Sequence, residues 1–302
     1  MSNKLHLFLG KTLLFVIPVL LLFEMMFRWG FSPIITNSTL FDIKMLKVQK
    51  QGIKNVRLLS IGSSIGLYEL DSRVMVEHFN MPYYNFSSWG FTVADMKALL
   101  DEFVKEYRPK YVIMCSSLGD FMTAPNESYF NYLNTSSCIR DNLPEYFYFN
   151  DYHSIHQIVY RKYHAFHLDL DEWGGSSLTI QPADINKERW DEHFLFPTVY
   201  TGRHYAALEE LCVALRSQNV KFIFVQAPIK ASYTHTPSSR QIVGSHFEKC
   251  RSIVESHGAV YLNYYDTATF ADSLFFDQSH LQAGGALILT KKIVADCQAI
   301  IK

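Results

Sequence analysis

Hydrophobic and polar positions alternate along most of this chain, but the N-terminus is different. Thr12 to Phe23 reads TLLFVIPVLLLF with no charge, and Met25, Met26, Phe27 and Trp29 continue it. A bilayer span takes about 20 mostly apolar residues. Leu13 to Phe31 therefore predicts a membrane helix, with Glu24 and Arg28 spaced to pair on one face and Trp29 suited to the interface. A cleaved signal peptide needs small residues at its cleavage site. The bulky run Glu24-Met25-Met26-Phe27-Arg28-Trp29 favours an uncleaved anchor over that rival and over a buried soluble helix. Lys4 and Lys11 precede the segment, and Arg28, Lys44, Lys47 and Lys50 follow it. That asymmetry is weak, and the expected orientation keeps the short tail in the cytoplasm and the bulk outside.

Beyond a polar juxtamembrane linker (32–54), strand and helix signals alternate. The pattern predicts strands over Val56–Ile61, Tyr83–Ser87, Tyr111–Ser116, Lys221–Gln226 and Ala259–Tyr264. It predicts helices over Leu70–Phe79, Thr92–Tyr107, Gly202–Ser217, Ser239–Ser256 and Ala283–Ala299. Between about 121 and 200 the rhythm breaks into a stretch rich in Tyr, Phe, Asn and His. Short continuous apolar strands between helices argue for a parallel sheet covered on both faces. The expected architecture is α/β, a three-layer flavodoxin-like domain of about five parallel strands. The organisation follows: an anchor (1–31), the linker (32–54) and a catalytic domain (55–302) with an insertion at about 121–200.

Composition changes this picture little. The chain has 302 residues, 48% hydrophobic and 19% charged, so disorder is excluded. A net charge of -1 with no basic stripe argues against a nucleic-acid partner. Cys115, Cys138, Cys212, Cys250 and Cys297 include no C-x-x-C pair, and Cys115, Cys212 and Cys297 read as small core residues.

Parallel doubly wound sheets hold ligands at the carboxyl ends of their strands. There the sequence places Gly62-Ser63-Ser64, then Asn85 to Gly90, then Ser116-Ser117-Leu118-Gly119-Asp120, and finally Asp277-Gln278-Ser279-His280. Ser64 at a strand-to-helix turn is a candidate nucleophile, which needs a base. His280 supplies one, and Asp277 is placed to fix its tautomer and stabilise the imidazolium. Backbone N–H groups of Ser64 and Gly90 form the candidate oxyanion hole. Ser63, Ser117, Gly119 and Asp120 are candidate substrate contacts.

These blocks resemble those of the SGNH/GDSL hydrolase superfamily. Gly62-Ser63-Ser64 matches its first block with Ser in place of Asp, Gly90 its second, and Asp277-x-x-His280 its last. The third block's Asn is replaced by Gly119, which removes one oxyanion donor that the resemblance implies. Gly62-x-Ser64-x-Gly66 also fits the α/β-hydrolase elbow, but that fold puts several strands before its serine.

Other candidates are weaker. His153, His156, His164 and His167 form i, i+3 pairs without carboxylates at ligand spacing, so no metal and no cofactor is expected. Arg203 and His204 open a helix within possible reach of the site. With the anchor, the resemblance extends to extracytoplasmic partners of multi-span membrane O-acyltransferases. It implies O-acyl transfer, chiefly O-acetyl, to an envelope polysaccharide as acceptor. The alternatives are a membrane-anchored esterase or deacetylase, and a degenerate scaffold or glycan-binding subunit.

Overall fold

The computed structural model describes residues 2–28, 36, 38–126, 129, 170–179, 201–231, 236–266, 268–277 and 279–302. The chain packs as two compact units, Met1–Gly52 with Glu127–Phe166, and Ile53–Asn126 with His167–Lys302.

In the first unit, α1 spans Ser2–Arg28. Its membrane-length stretch is Lys4–Leu22, with mean hydropathy 2.2 and no buried side chains. The expectation of Leu13–Phe31 thus moves toward the N-terminus. Leu5, Leu7, Phe8 and Leu9 form a second apolar run ahead of Thr12, so Lys11 falls inside the stretch rather than before it. Such a helix is consistent with a membrane-spanning or signal segment. The side chains of Glu24 and Arg28, with their expected pairing, and Trp29 lie outside the described residues.

The linker region contains a helix, α2, over Thr39–Gln51. Leu40, Phe41, Lys44, Met45 and Val48 are buried at helical spacing. The lysines interleaved with these positions disguised that period. Thr36 Oγ1 donates to Asp42 Oδ1 at 2.9 Å, and Phe41 meets Tyr129 edge-on at 5.3 Å.

The second unit is built on five parallel strands: β1 Leu58–Gly62, β2 Tyr83–Asn85, β3 Tyr111–Ser116, β4 Lys221–Gln226 and β5 Val260–Asn263. Their order across the sheet is β2-β1-β3-β4-β5. Leu58 pairs with Tyr83 on one side and Tyr111 on the other, and Tyr111 continues the register to Lys221. Every residue of β1 and β3 is buried, as expected of strands covered on both faces. Leu58, Ile113, Ile223, Val225, Leu289 and Ile293 belong to the main core.

Helices follow the strands. The helix expected over Leu70–Phe79 is α4, Ser72–Phe79, and a further short helix, α3 Ser64–Glu69, precedes it. The break occurs because Leu70 is extended and the Asp71 side chain accepts from Val74 N–H, which starts a new N-terminus. Next come α5 Val93–Tyr107, α6 Thr201–Ser217, α7 Pro237–Ser256 and α8 Ala283–Cys297. The α5 start is fixed by a capping box between Thr92 and Asp95. Helices α3 and α4 pack on α8, while α5 packs on α6 and α6 on α7.

Two expectations fall on the stretch between 121 and 200. Within it, residues 170–179 return to the sheet: Trp173 carbonyl accepts from Asn85 N–H, and Ser176 N–H donates to Leu67 carbonyl. His153, His156, His164, His167 and Cys138 lie outside the described residues. Cys115, Cys212, Cys250 and Cys297 are buried free thiols.

His246 on α7 shows how this unit satisfies a buried ring. Tyr205 OH and Gln226 Oε1 lie 2.8 and 3.0 Å from its two nitrogens, and Phe121 stands edge-on to it. Burial pushes its pKa down to about 3, so it is neutral over the physiological range.

Candidate active site

The strand-to-helix turn after β1 sets the first side chain. Gly62 ends the strand where the backbone is crowded. A Cβ there would stand 2.4 Å from Cys115 carbonyl oxygen and 2.8 Å from Gly66 Cα. Ser63 caps α3, its Oγ accepting from Ile65 N–H at 3.2 Å. Ser64 is therefore the first residue of the helix, at the end of β1.

The second and third side chains come from one short loop. Phe275 and Leu281 form an isolated antiparallel bridge, and Phe276 N–H donates to His280 carbonyl at 2.7 Å. Inside this closure, His280 Nδ1 lies 2.9 and 2.8 Å from the two Asp277 carboxylate oxygens. Asp277 Oδ1 also accepts the backbone N–H of Ser279 and of His280, each at 2.9 Å. His280 Nε2 lies 2.8 Å from Ser64 Oγ. Burial acts to raise the Asp277 carboxyl, but the His280 ring and these N–H donors outweigh it and hold its pKa below the ordinary value. The carboxylate thus stays charged opposite the imidazole. The side chains of His280 and Asp277 are 20% and 26% exposed, so water reaches the base.

Ser63, Ser64, Gly90, Ser117, Gly119, Asp120 and His280 all line one cavity of about 250 Å³. Gly90 has φ +69, a left-handed conformation that disfavours side chains, and a Cβ there would meet no atom within 4 Å. Backbone conformation rather than packing selects the glycine. Gly119 places no side chain where the resemblance expects an amide donor.

Asp120 is engaged mainly with its own loop. Its Oδ2 accepts from Ser116 Oγ at 2.8 Å and Ser117 N–H at 3.1 Å, and Ser63 also bonds to it. Burial pushes its pKa up to about 6, against the pull of those donors. It ties the β3 loop to the cap of α3, a positioning role the residue pattern did not suggest.

Arg203 and His204 are absent from the cavity lining. His204 is buried, with Nε2 2.7 Å from Thr123 carbonyl oxygen and Nδ1 accepting from Ala94 N–H at 3.4 Å. It supports the cavity from behind, because Thr123 is a lining residue.

Two neighbours escaped the sequence reading. Tyr68 stands edge-on to His280 with ring centroids 5.8 Å apart, and its hydroxyl accepts from Trp89 Nε1 at 2.7 Å. Glu69 is fully buried, and its Oε1 accepts from Leu281 N–H at 3.3 Å, directly after His280. Its Oε2 has no partner among the described residues. Position was the available signal: both residues lie on α3, one turn beyond Ser64.

Burial raises the Glu69 pKa well above the ordinary value, with the charges of Asp120 and Asp277 adding to the effect. A carboxyl raised on folding favours the native state fully below its unfolded pKa. That contribution is lost as pH rises through the folded value. Glu69→Gln is therefore expected to flatten the decline of the thermal midpoint on the alkaline side, in scans of the full chain in detergent. A variant with the wild-type slope would refute this. Asp120 contributes a decline of the same sign up to about pH 6, so the comparison with wild type isolates Glu69. His246 acts oppositely, weakening the fold as pH falls below its unfolded value.

A parallel sheet with a serine, a histidine and an aspartate in hydrogen-bonded series at its carboxyl edge defines an α/β protein with a triad-like arrangement. No family model and no curated protein matches the chain. Among solved structures it is similar to an acetylxylan esterase from Geobacillus stearothermophilus (15% identity, TM-score 0.44, covering 81% of this chain and 95% of that one). It is also similar to a Bacteroides fragilis protein assigned as an acylhydrolase (11% identity, TM-score 0.48, covering 87% and 98%). A third is an alpha/beta hydrolase enzyme from the metagenome of Lake Arreo, Spain (14% identity, TM-score 0.45, covering 82% and 98%). The expectation of O-acyl transfer to an envelope polysaccharide is corrected by these comparisons, since each of the three is named for hydrolysis and not for transfer.

Proposed function

We propose that the chain is a membrane-anchored serine esterase of the SGNH type, with a three-layer flavodoxin-like domain held outside the cytoplasm by α1. The observation that carries the reading is the 2.8 Å contact between Ser64 Oγ and His280 Nε2, with Asp277 on the other ring nitrogen. The water-accessible edge of His280 supports hydrolysis as the second half of the reaction.

The steps follow from that geometry. Ser64 Oγ attacks the ester carbonyl carbon and gives its proton to His280 Nε2. Asp277 holds Nδ1–H and stabilises the imidazolium. The oxyanion is received by backbone N–H groups of Ser64 and Gly90, a donor pair typically worth a few kcal/mol each. The C–O bond to the alcohol breaks, and His280 returns its proton to that oxygen. A water then gives a proton to His280 and attacks the acyl carbon. The acid leaves and Ser64 Oγ recovers its hydrogen.

A fluorophosphonate probe tests this reading directly. Full-length protein in detergent is expected to be labelled stoichiometrically at Ser64, mapped by peptide mass spectrometry, and to release acid from a p-nitrophenyl ester without a partner protein. No label together with no turnover would refute an active esterase and favour a catalytically silent scaffold.

A further inference from the structure

The cavity that holds the triad is lined in good part by hydrocarbon. Ile65, Phe91, Leu118, Pro228, Ile229 and Val243 form its apolar wall. Leu118 and Val243 belong to a small separate core with Met122 and Phe247, against which Ile229 packs. This wall is backed by buried side chains. Its polar members are mostly committed: Ser63 caps α3, and Asp120 binds Ser116 and Ser117.

Such a lining discriminates between the two halves of an ester. A sugar seated there would bury hydroxyls against Ile229, Val243 and Leu118, and each unpaired hydroxyl costs about 1–3 kcal/mol. A hydrocarbon chain incurs no such cost. Size points the same way. A water needs about 10–15 Å³ of comparable space, and the cavity offers about 250 Å³, far more than an acetyl methyl occupies.

We propose that this cavity is an acyl-chain pocket, and that the enzyme prefers esters of hydrophobic acids of about four to eight carbons over acetate. This rests on the esterase reading. The alcohol half then lies toward solvent at the His280 edge, where its oxygen takes the proton on leaving. Ile229 and Val243 become the specificity-determining pair, one from the loop after β4 and one from α7.

The test is a series of p-nitrophenyl esters from acetate to octanoate, assayed with full-length protein in detergent. Each buried methylene is worth about fourfold in kcat/KM, so butanoate is expected to exceed acetate by roughly 10- to 20-fold. Val243→Phe, which fills the pocket, is expected to lower the butanoate-to-acetate ratio at least fivefold. Ile229→Ala, which enlarges it, is expected to move the optimum toward longer chains, and it keeps the test open should the first variant misfold. A flat series or an acetate optimum, with hydrolysis intact, overturns the acyl pocket alone. A parallel series of alkyl acetates guards the assignment: dependence on alcohol length, and none on acyl length, gives the pocket to the alcohol and also overturns it. No hydrolysis of any ester and no fluorophosphonate label sink the esterase reading and the pocket together.

Discussion

Ser64→Ala is expected to lower kcat/KM for ester hydrolysis by roughly 10⁴- to 10⁶-fold. The variant should keep its thermal midpoint, because among the described residues Ser64 Oγ hydrogen bonds only with His280 Nε2. His280→Ala should cost about as much, and the double variant no more than either alone, since nucleophile and base act as one unit. Asp277→Asn is the more informative change. Its carboxylate accepts from the ring and from two backbone N–H groups. The amide preserves the shape but presents the wrong tautomer partner to Nδ1, and a loss of about 10⁴-fold follows. Steady-state kinetics with one activated ester measure all four variants. Any single change that leaves more than a tenth of wild-type activity in a folded protein would remove its residue from the reaction.

The second large effect is structural. Gly62→Ala places a Cβ 2.4 Å from Cys115 carbonyl oxygen and 2.8 Å from Gly66 Cα. Both obstacles are backbone, one in β3 and one in α3, so no side chain can rotate away. Overpacking a closed site costs about 1–3 kcal/mol and occasionally more. A clash between backbones belongs at the upper end, about 3 kcal/mol or beyond. The turn that carries Ser64 must also shift, so activity should fall together with stability. Chemical denaturation of the full chain, compared with turnover, checks both. A variant with unchanged midpoint and activity would show that the turn can relax, against the packing just described.

Much of this was legible in the sequence, for identifiable reasons. Leu58–Gly62 and Tyr111–Ser116 are buried throughout, Lys221–Gln226 is buried after its exposed first residue, and all three are mostly apolar and lie close to where the pattern placed strands. Asp277 and His280 were found because acid and base lie three residues apart, within one loop. The breaks came where tertiary packing overrides pattern. Helix α2 hid because Lys44 sits on its buried face. Helix α3 hid because its six residues, Ser64–Glu69, are too few to show a helical period. Glu69 and Tyr68 were missed because their contacts with the His280 loop form only on folding, and their place one turn beyond Ser64 was the one hint. The chemistry of the second half-reaction was misjudged: a triad is the same whether water or a sugar hydroxyl receives the acyl group.

The loop closed by the Phe275–Leu281 bridge carries acid and base as one piece. Asp277 and His280 travel together, so a displacement of this loop never separates them from each other. It separates both from Ser64 at once. Asp277 and His280 thus share one loop, and the geometry of one relative to the other is set locally, while their distance to Ser64 is set by how the loop meets α3. Glu69 Oε1 accepts Leu281 N–H at 3.3 Å, so the helix that carries Ser64 is itself tied to this loop.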